Sequence, residues 1–248
     1  MEPIVKVTNL SVVYANNLIL KNINFEIYPG EIFVIVGGSG CGKSTLLRQI
    51  IGLEIPTTGE IYIDGNELTK ASEKERNNIL RKFGILFQSS GLIASMTLFE
   101  NIELPLKTYT KLSDERIEQI VRFKLSLVQL SGYESYFPSQ LSGGMKKRAG
   151  IARALALDPP ILCFDEPSSG LDPVTSASLD ELIISLNKLL GLTIIVVTHD
   201  LASIMRIAHR VVMLDKSEKT IIAEGTPTEL ANKKENILVY KFFNRLPE

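Results

Sequence analysis

Ile32-Phe33-Val34-Ile35-Val36-Gly37-Gly38-Ser39-Gly40-Cys41-Gly42-Lys43-Ser44 runs from five apolar residues straight into a glycine-rich turn that ends on lysine and serine. An apolar run without alternation is the pattern of a strand covered on both faces, as in a parallel sheet. The turn fits G-x-x-x-x-G-K-[ST], the phosphate-binding loop. Each residue type has a physical reason. Glycines let the backbone bend so that successive amides, here from Gly37 to Gly42, face one polyphosphate. Lys43 to Ile51 has helical character, and a helix starting there adds the positive end of its dipole. Lys43 is expected at the β- and γ-phosphates, the Ser44 hydroxyl on Mg²⁺, and Thr45 as a further phosphate contact. A glycine-rich turn with an incidental lysine is the competing interpretation. The strand pattern before the turn and the helix pattern after it argue against that.

A phosphate loop needs a second partner for the metal, and Ile161-Leu162-Cys163-Phe164-Asp165-Glu166 supplies one. Four apolar residues carry Asp165 to the end of a buried strand, where open α/β sheets place their sites. Asp165 is expected to hold Mg²⁺ directly or through water. Glu166 is expected to polarise the attacking water as a general base. Acids that merely cap a strand end are the alternative, which the phosphate loop weakens.

The rest of the chain alternates around these two motifs. Residues 4–36 are mostly strand, with Ile23, Phe25 and Ile27 alternating with polar residues and Pro29-Gly30 marking a turn. Short strands are expected at 59–64 and 83–87, and an exposed charged helix at 72–82. Ser113 is a plausible N-cap, and Ile117, Ile120, Val121 and Leu125 recur at helical spacing, so residues 88 to 138 read as a helical insertion. A strand at 161–164, a helix at 174–190 with the apolar face Leu179, Leu182, Ile183, Leu186 and Leu190, and a strand at 193–198 resume the alternation. Residues 211–214 and 220–223 suggest a late hairpin. This order predicts a three-layer α/β fold with a phosphate-loop core, an N-terminal β part and an inserted helical subdomain.

Composition narrows the class of partner. The 248 residues carry 27 Lys and Arg against 28 Asp and Glu, a net charge of −1, which gives no general attraction to nucleic acid. The two cysteines, Cys41 and Cys163, are too far apart in sequence to suggest a disulfide framework or a zinc site. No apolar run approaches the roughly 20 residues that span a bilayer, and the N-terminus lacks the pattern of a signal peptide. Another chain is therefore expected to supply any pore.

Leu141-Ser142-Gly143-Gly144-Met145 resembles the signature motif of the ABC ATPases, and the resemblance covers nearly the whole chain. The motifs follow in the family's order: phosphate loop, Gln88, signature, Asp165-Glu166, Ser169-Gly170-Leu171-Asp172, His199. Tyr14 stands upstream, where these proteins stack an aromatic ring on adenine. The resemblance implies ATP and Mg²⁺ as ligands and ATP hydrolysis as the activity. It also implies a head-to-tail dimer of two copies with ATP sandwiched between them. Ser142, Gly143 and Gly144 would meet the γ-phosphate held by the second copy, and Asp172 would communicate across the dimer. His199 would contact the γ-phosphate and order the water. Gln88 would touch the metal or the water and report nucleotide state to the helical insertion.

The family resemblance divides the chain into a core at 1–87 and 139–230, a helical subdomain at about 88–138 plus the signature helix, and a tail at 231–248. The signature commonly ends in Gln, and Met145 departs from that. Lys146-Lys147-Arg148 reads as a solvated helix face. The string LSGGMKKRAGIARALALDP, the segment from Phe87 to Asn101 and the tail from Tyr240 to Pro247 look like the ATPases of Mce/Mla-type lipid transporters. That implies a peripheral protein on the cytoplasmic side of the inner membrane. Its partners would be integral permease subunits and an Mce-domain lipid-binding protein, with lipid as cargo. In the tail, Val239, Phe242, Phe243 and Leu246 recur at helical spacing and are expected to pack on this chain or its partner. A soluble ABC ATPase of an assembly system, such as an iron–sulfur scaffold, the ABC ATPase of a different solute transporter, and a nucleotide-gated module without turnover remain the alternatives.

Overall fold

The structure, a computed structural model, describes residues 2–247. Val5–Tyr14 (β1) and Asn17–Ile27 (β2) form an antiparallel hairpin. Ile32–Gly37 (β3) runs into the helix Lys43–Ile50 (α1), and Thr58–Ile63 (β4) with Asn66–Glu67 (β5) returns to the hairpin's sheet. Glu73–Leu80 (α2) and Phe83–Leu86 (β6) follow. A helical segment then comprises Leu98–Tyr109 (α3), Asp114–Leu127 (α4), one 3-10 turn at Pro138–Gln140, and Gly143–Ala154 (α5). The alternation resumes with Ile161–Asp165 (β7), Pro173–Leu190 (α6), Thr193–Val197 (β8), Leu201–Ile207 (α7), Arg210–Leu214 (β9) and Ile221–Gly225 (β10). Pro227–Ala231 (α8) and Ile237–Phe243 (α9) come last.

Two sheets result. The smaller has the order β2-β1-β4-β5 and is antiparallel. The larger has the order β10-β9-β3-β8-β7-β6, and every neighbouring pair from β9 to β6 is parallel. The apolar run of β3 shows why that strand must be central. Ile32, Val34 and Val36 point into one core with the helices α3 to α7, and Phe33 and Ile35 point into the other with α1 and the smaller sheet. A period of two with both faces covered is the burial that a continuous apolar strand demands. The hairpin read at 211–214 and 220–223 is present, and its first strand also pairs in parallel with β3, which joins it to the core sheet.

Three local readings change. Leu190 is 40% exposed at the end of α6, before the left-handed Gly191 (φ 65°), so the apolar buried face of that helix stops at Leu186, with Asn187 its last buried residue. Lys147 is buried and Arg148 half-buried. The Lys147 ammonium bonds backbone carbonyls inside the fold, and Arg148 donates to Val128 O and Ser178 Oγ, because α5 is enclosed on several sides. In the tail, Val239 and Phe243 are buried against the same chain, whereas Leu246 lies beyond the end of α9 and is exposed. The last tail position, Glu248, lies outside the described residues.

Candidate functional site

Parallel strands end at one edge of their sheet, and the loops leaving that edge converge there. In the order β3, β8, β7, β6, the four neighbouring strands deliver Gly37–Ser44, His199, Asp165 with Glu166, and Gln88 to the same edge. Residues spread from Gly37 to His199 in the sequence thus meet because of topology.

The phosphate loop has the geometry its glycines permit. Gly37 has φ 147° and Gly42 has φ 99°, and a Cβ on Gly37 would collide with the Leu214 carbonyl and the Cys41 sulfur. Gly42 caps α1 without a side chain, whereas a side-chain oxygen caps each of the eight other described α-helices. The first amides of α1 are thus left for an anion. The Lys43 ammonium bends over the loop, donating to Gly37 O at 2.8 Å and Gly38 O at 3.0 Å. Cys41 is buried, and burial raises its thiol above the ordinary value. Ser39 and Gly40 are exposed at the rim, and Thr45 is half-buried on α1.

The Ser44 hydroxyl donates to Asp165 Oδ1 at 3.4 Å. Burial pushes the Asp165 carboxyl up, the Glu166 charge adds to this, and the Ser44 hydroxyl opposes it. A carboxylate made unfavourable by burial and by a like charge is one that a divalent cation stabilises. Mg²⁺ is ordinarily bound by one or two protein oxygens together with substrate phosphates, so the donor set fits it.

Next to this pair, Glu166 Oε1 lies 2.8 Å from His199 Nδ1. An ionised carboxylate offers only acceptors, so Nδ1 carries the proton in this contact. Glu166 is itself in the left-handed region, φ 49°, held by its N–H to Val197 O at 2.8 Å. Gln88 Nε2 donates to Ser169 Oγ at 3.3 Å, which brings the turn after β6 to the turn after β7.

The signature turn is built separately. Ser142 Oγ caps α5 through Met145 N at 3.3 Å. A Cβ on Gly144 would stand 2.5 Å from Thr175 Cγ2, and one on Gly143 would stand 3.2 Å from Leu171 Cδ2. Asp172 caps α6 by accepting from Val174 N, Thr175 N and Thr175 Oγ, and the Thr175 bonds hold its carboxyl below the usual range. The Asp172 turn and the signature turn therefore pack on each other. No hydrogen bond among the described residues joins Ser142, Gly143 or Gly144 to the phosphate loop of the same chain. Met145 packs on the core with its side chain and offers only its amide to the turn.

Tyr14 ends β1, is 42% exposed and donates its hydroxyl to Glu54, with no bond to the phosphate loop. Sequence reasoning missed the inward role of Lys147 and the Ser169 hydroxyl. Position 147 falls one turn after Gly144 and one before Gly150, an i, i+3 row that marks a closely packed helix face.

Among the described residues, no helix is long and apolar enough to cross a membrane. The ABC transporter family model matches residues 20–169. The chain is 40% identical over 227 residues to the intermembrane phospholipid transport system ATP-binding protein MlaF of Haemophilus influenzae, covering 92% of this chain and 85% of that protein. It is 42% identical over 229 residues to the methionine import ATP-binding protein MetN of Carboxydothermus hydrogenoformans, covering 90% of this chain and 66% of that one. Its structure resembles the dimeric post-hydrolysis state of the ATP-binding cassette MJ0796 bound to ADP and Pi, with a TM-score of 0.81 and 36% identity over 90% of this chain and 98% of that one. With the glycine-rich loop, the Ser44–Asp165 pair and the Ser142–Gly144 turn on one cassette fold, the chain belongs to the ABC transporter family, as an ATP-binding subunit that hydrolyses ATP with Mg²⁺.

Proposed function

We propose that two copies of this chain bind two ATP molecules head to tail and energise lipid transport in a bacterial envelope, lying against integral permease subunits on the cytoplasmic face of the inner membrane. An Mce-domain lipid-binding protein completes the assembly. The likeness to MlaF supports the cargo. The likeness to MetN favours a second reading, import of a small solute by the same ATPase.

The observation that carries the hydrolytic mechanism is the edge of the sheet where Ser44–Asp165 and Glu166–His199 stand side by side. Amides from Gly37 to Gly42 and the Lys43 ammonium hold the β- and γ-phosphates, with Thr45 adding a contact. Ser44, Asp165 and Gln88 hold Mg²⁺, which when bound neutralises phosphate charge and aligns the γ-phosphoryl group. Tyr14, fixed by Glu54, carries the adenine ring. Glu166 takes the proton of the attacking water on the oxygen that His199 does not engage. His199 orders that water against the γ-phosphate.

Ser142 and Gly143 are exposed, with Gly144 packed beneath them, because the anion of this turn is the γ-phosphate of the second copy, and Asp172, packed on the same turn, carries the state of one site to the other. Closure is driven only to the extent that ATP prefers the closed dimer. The helical part, residues 88–138 with α5, is the unit that moves against the core. A cavity of about 390 Å³ between α2, β6 and α3, lined by Phe87, Tyr109 and Arg153 among others, is the seat for the permease.

Affinity capture of the tagged chain from its native membranes in mild detergent tests the assignment. A multi-span permease with an Mce-domain protein is the expected result. A permease recovered with a small-solute-binding protein and no Mce domain selects the second reading. Recovery of soluble scaffold proteins alone overturns both.

A further inference from the structure

Lys147 lies on α5, the signature helix, with only 5% of its surface exposed. Its ammonium donates to the backbone carbonyl of Gln88 at 2.6 Å and to that of Glu166 at 3.2 Å. A lysine that gives up its hydration needs its donors used. Here two of them go to the main chain of residues whose side chains stand at the hydrolysis edge. Among the described residues no carboxylate pairs with it within salt-bridge distance. Burial draws its pKa down, and the charges of Glu166 and Asp165 oppose that.

Its neighbours along the same face of α5 grip the same loop. A Cβ on Gly150, three residues on, would stand 2.6 Å from Ser90 O, so the helix backbone lies directly against that turn. Arg153, three further, donates to Gly91 O. Positions 147, 150 and 153 thus form one stripe along the segment from Gln88 to Gly91, as the helical period requires. On the other side, Glu166 occupies a backbone region that a non-glycine residue keeps only when its surroundings hold it there. Its N–H is held by Val197 O, and its carbonyl receives Ser169 N–H and the Lys147 ammonium.

We infer that Lys147 is a positioning residue for hydrolysis. By bonding both carbonyls at once, it sets the spacing between the Gln88 turn and the Glu166 turn, and it makes the placement of Glu166 depend on the seat of the signature helix. The inference rests on Glu166 as the general base and Gln88 as the contact to metal or water. The N-terminus of α5 meets the ATP of the second copy, so one ammonium links that encounter to the base of its own chain. A compact ammonium on a long stem can reach two carbonyls from different elements; a methionine of similar length can reach neither.

The test is phosphate release by the full-length chain over a range of Mg·ATP concentrations, with Lys147→Met, Lys147→Gln and Glu166→Gln in parallel, and thermal melting of each. Lys147→Met is expected to lower kcat by about tenfold or more with KM within about threefold, since misplacing a catalytic group falls on the chemical step. Lys147→Gln keeps a neutral NH2 donor on a shorter stem and falls between; it decides the matter if Lys147→Met does not fold. Rates within about twofold of the parent for both, beside a slowed Glu166→Gln, overturn the positioning role alone. So does a loss of rate that follows the loss of folded protein. A Glu166→Gln chain that turns over normally removes the general base and this inference with it.

Discussion

Glu166 and His199 stand at the ends of two adjacent parallel strands, with Oε1 of the first 2.8 Å from Nδ1 of the second. The pairing of Asp165 with Val197 in the β7–β8 register puts Glu166 one residue and His199 two residues beyond the paired strand ends, within reach of each other. The carboxylate fixes the imidazole tautomer, and the imidazole leaves one carboxylate oxygen free to take a proton. The His199 side chain is 69% exposed and that of Glu166 only 14%, so the carboxylate is sheltered within the chain while the imidazole faces outward.

The packing of the signature turn on the Asp172 turn leaves no room for a methyl group at Gly144. Gly144→Ala is expected to lower stability by about 1–3 kcal/mol, as overpacking does, and to weaken ATP-dependent dimerisation. Thr175, which must move, is tied to Asp172 by a 2.5 Å hydrogen bond. Gly143→Ala meets only the flexible end of Leu171 and should do less. Thermal melting with light scattering, with and without ATP, checks both.

Asp180 is buried on α6, accepts from Ser203 Oγ at 3.0 Å and lies near Asp200, the cap of α7. Burial first, then the Asp200 charge, lifts its carboxyl to about 6 from an ordinary 3.8. The folded state therefore holds a proton that the unfolded chain has already released between these values. Stability from this group is present below about pH 4, falls as pH rises to about 6, and stays lost at neutral pH. Asp180→Asn should raise stability at pH 7.5 by on the order of 1–3 kcal/mol, with the gain shrinking toward pH 4. Melting curves at several pH values read it directly.

The tail earns its order from the same chain. Phe243 is 5% exposed and Val239 fully buried, both in the larger core cluster. Phe243→Ala is expected to destabilise the monomer by about 3–5 kcal/mol. A chemical denaturation midpoint measured without ATP or partner tests this; an unchanged midpoint would assign the helix to an intermolecular contact instead.

Much of this site was legible in the sequence because phosphate binding needs glycines, a lysine and a hydroxyl in one short turn, and because an apolar strand ending in Asp165-Glu166 announces its place. The order of strands was not legible. Nothing local says that β8 lies between β3 and β7, and it is that order which sets His199 against Glu166. The basic run was misread for a similar reason. Lys147 carries the same charge as Lys146, and only the enclosure of α5 separates a buried donor from a surface one. The helix face ending at Leu190 was overextended because apolar residues continue through the last turn of α6, where Leu189 and Leu190 are exposed. The short helices α7 and α8 are set by Asp200 and Thr226 caps and are too brief for periodicity to register.

If Glu166 activates water in a site completed by a second copy, Glu166→Gln separates ATP binding and dimerisation from hydrolysis. The mass in solution would be measured by light scattering with Mg·ATP, alongside phosphate release. The variant is expected to bind ATP, to hydrolyse it slower by on the order of 10²-fold or more, and to show a mass twice the 27.5 kDa of one chain that reverts when ATP is removed. A variant that hydrolyses ATP at the parent rate, or that holds ATP and stays at the mass of one chain, would contradict this.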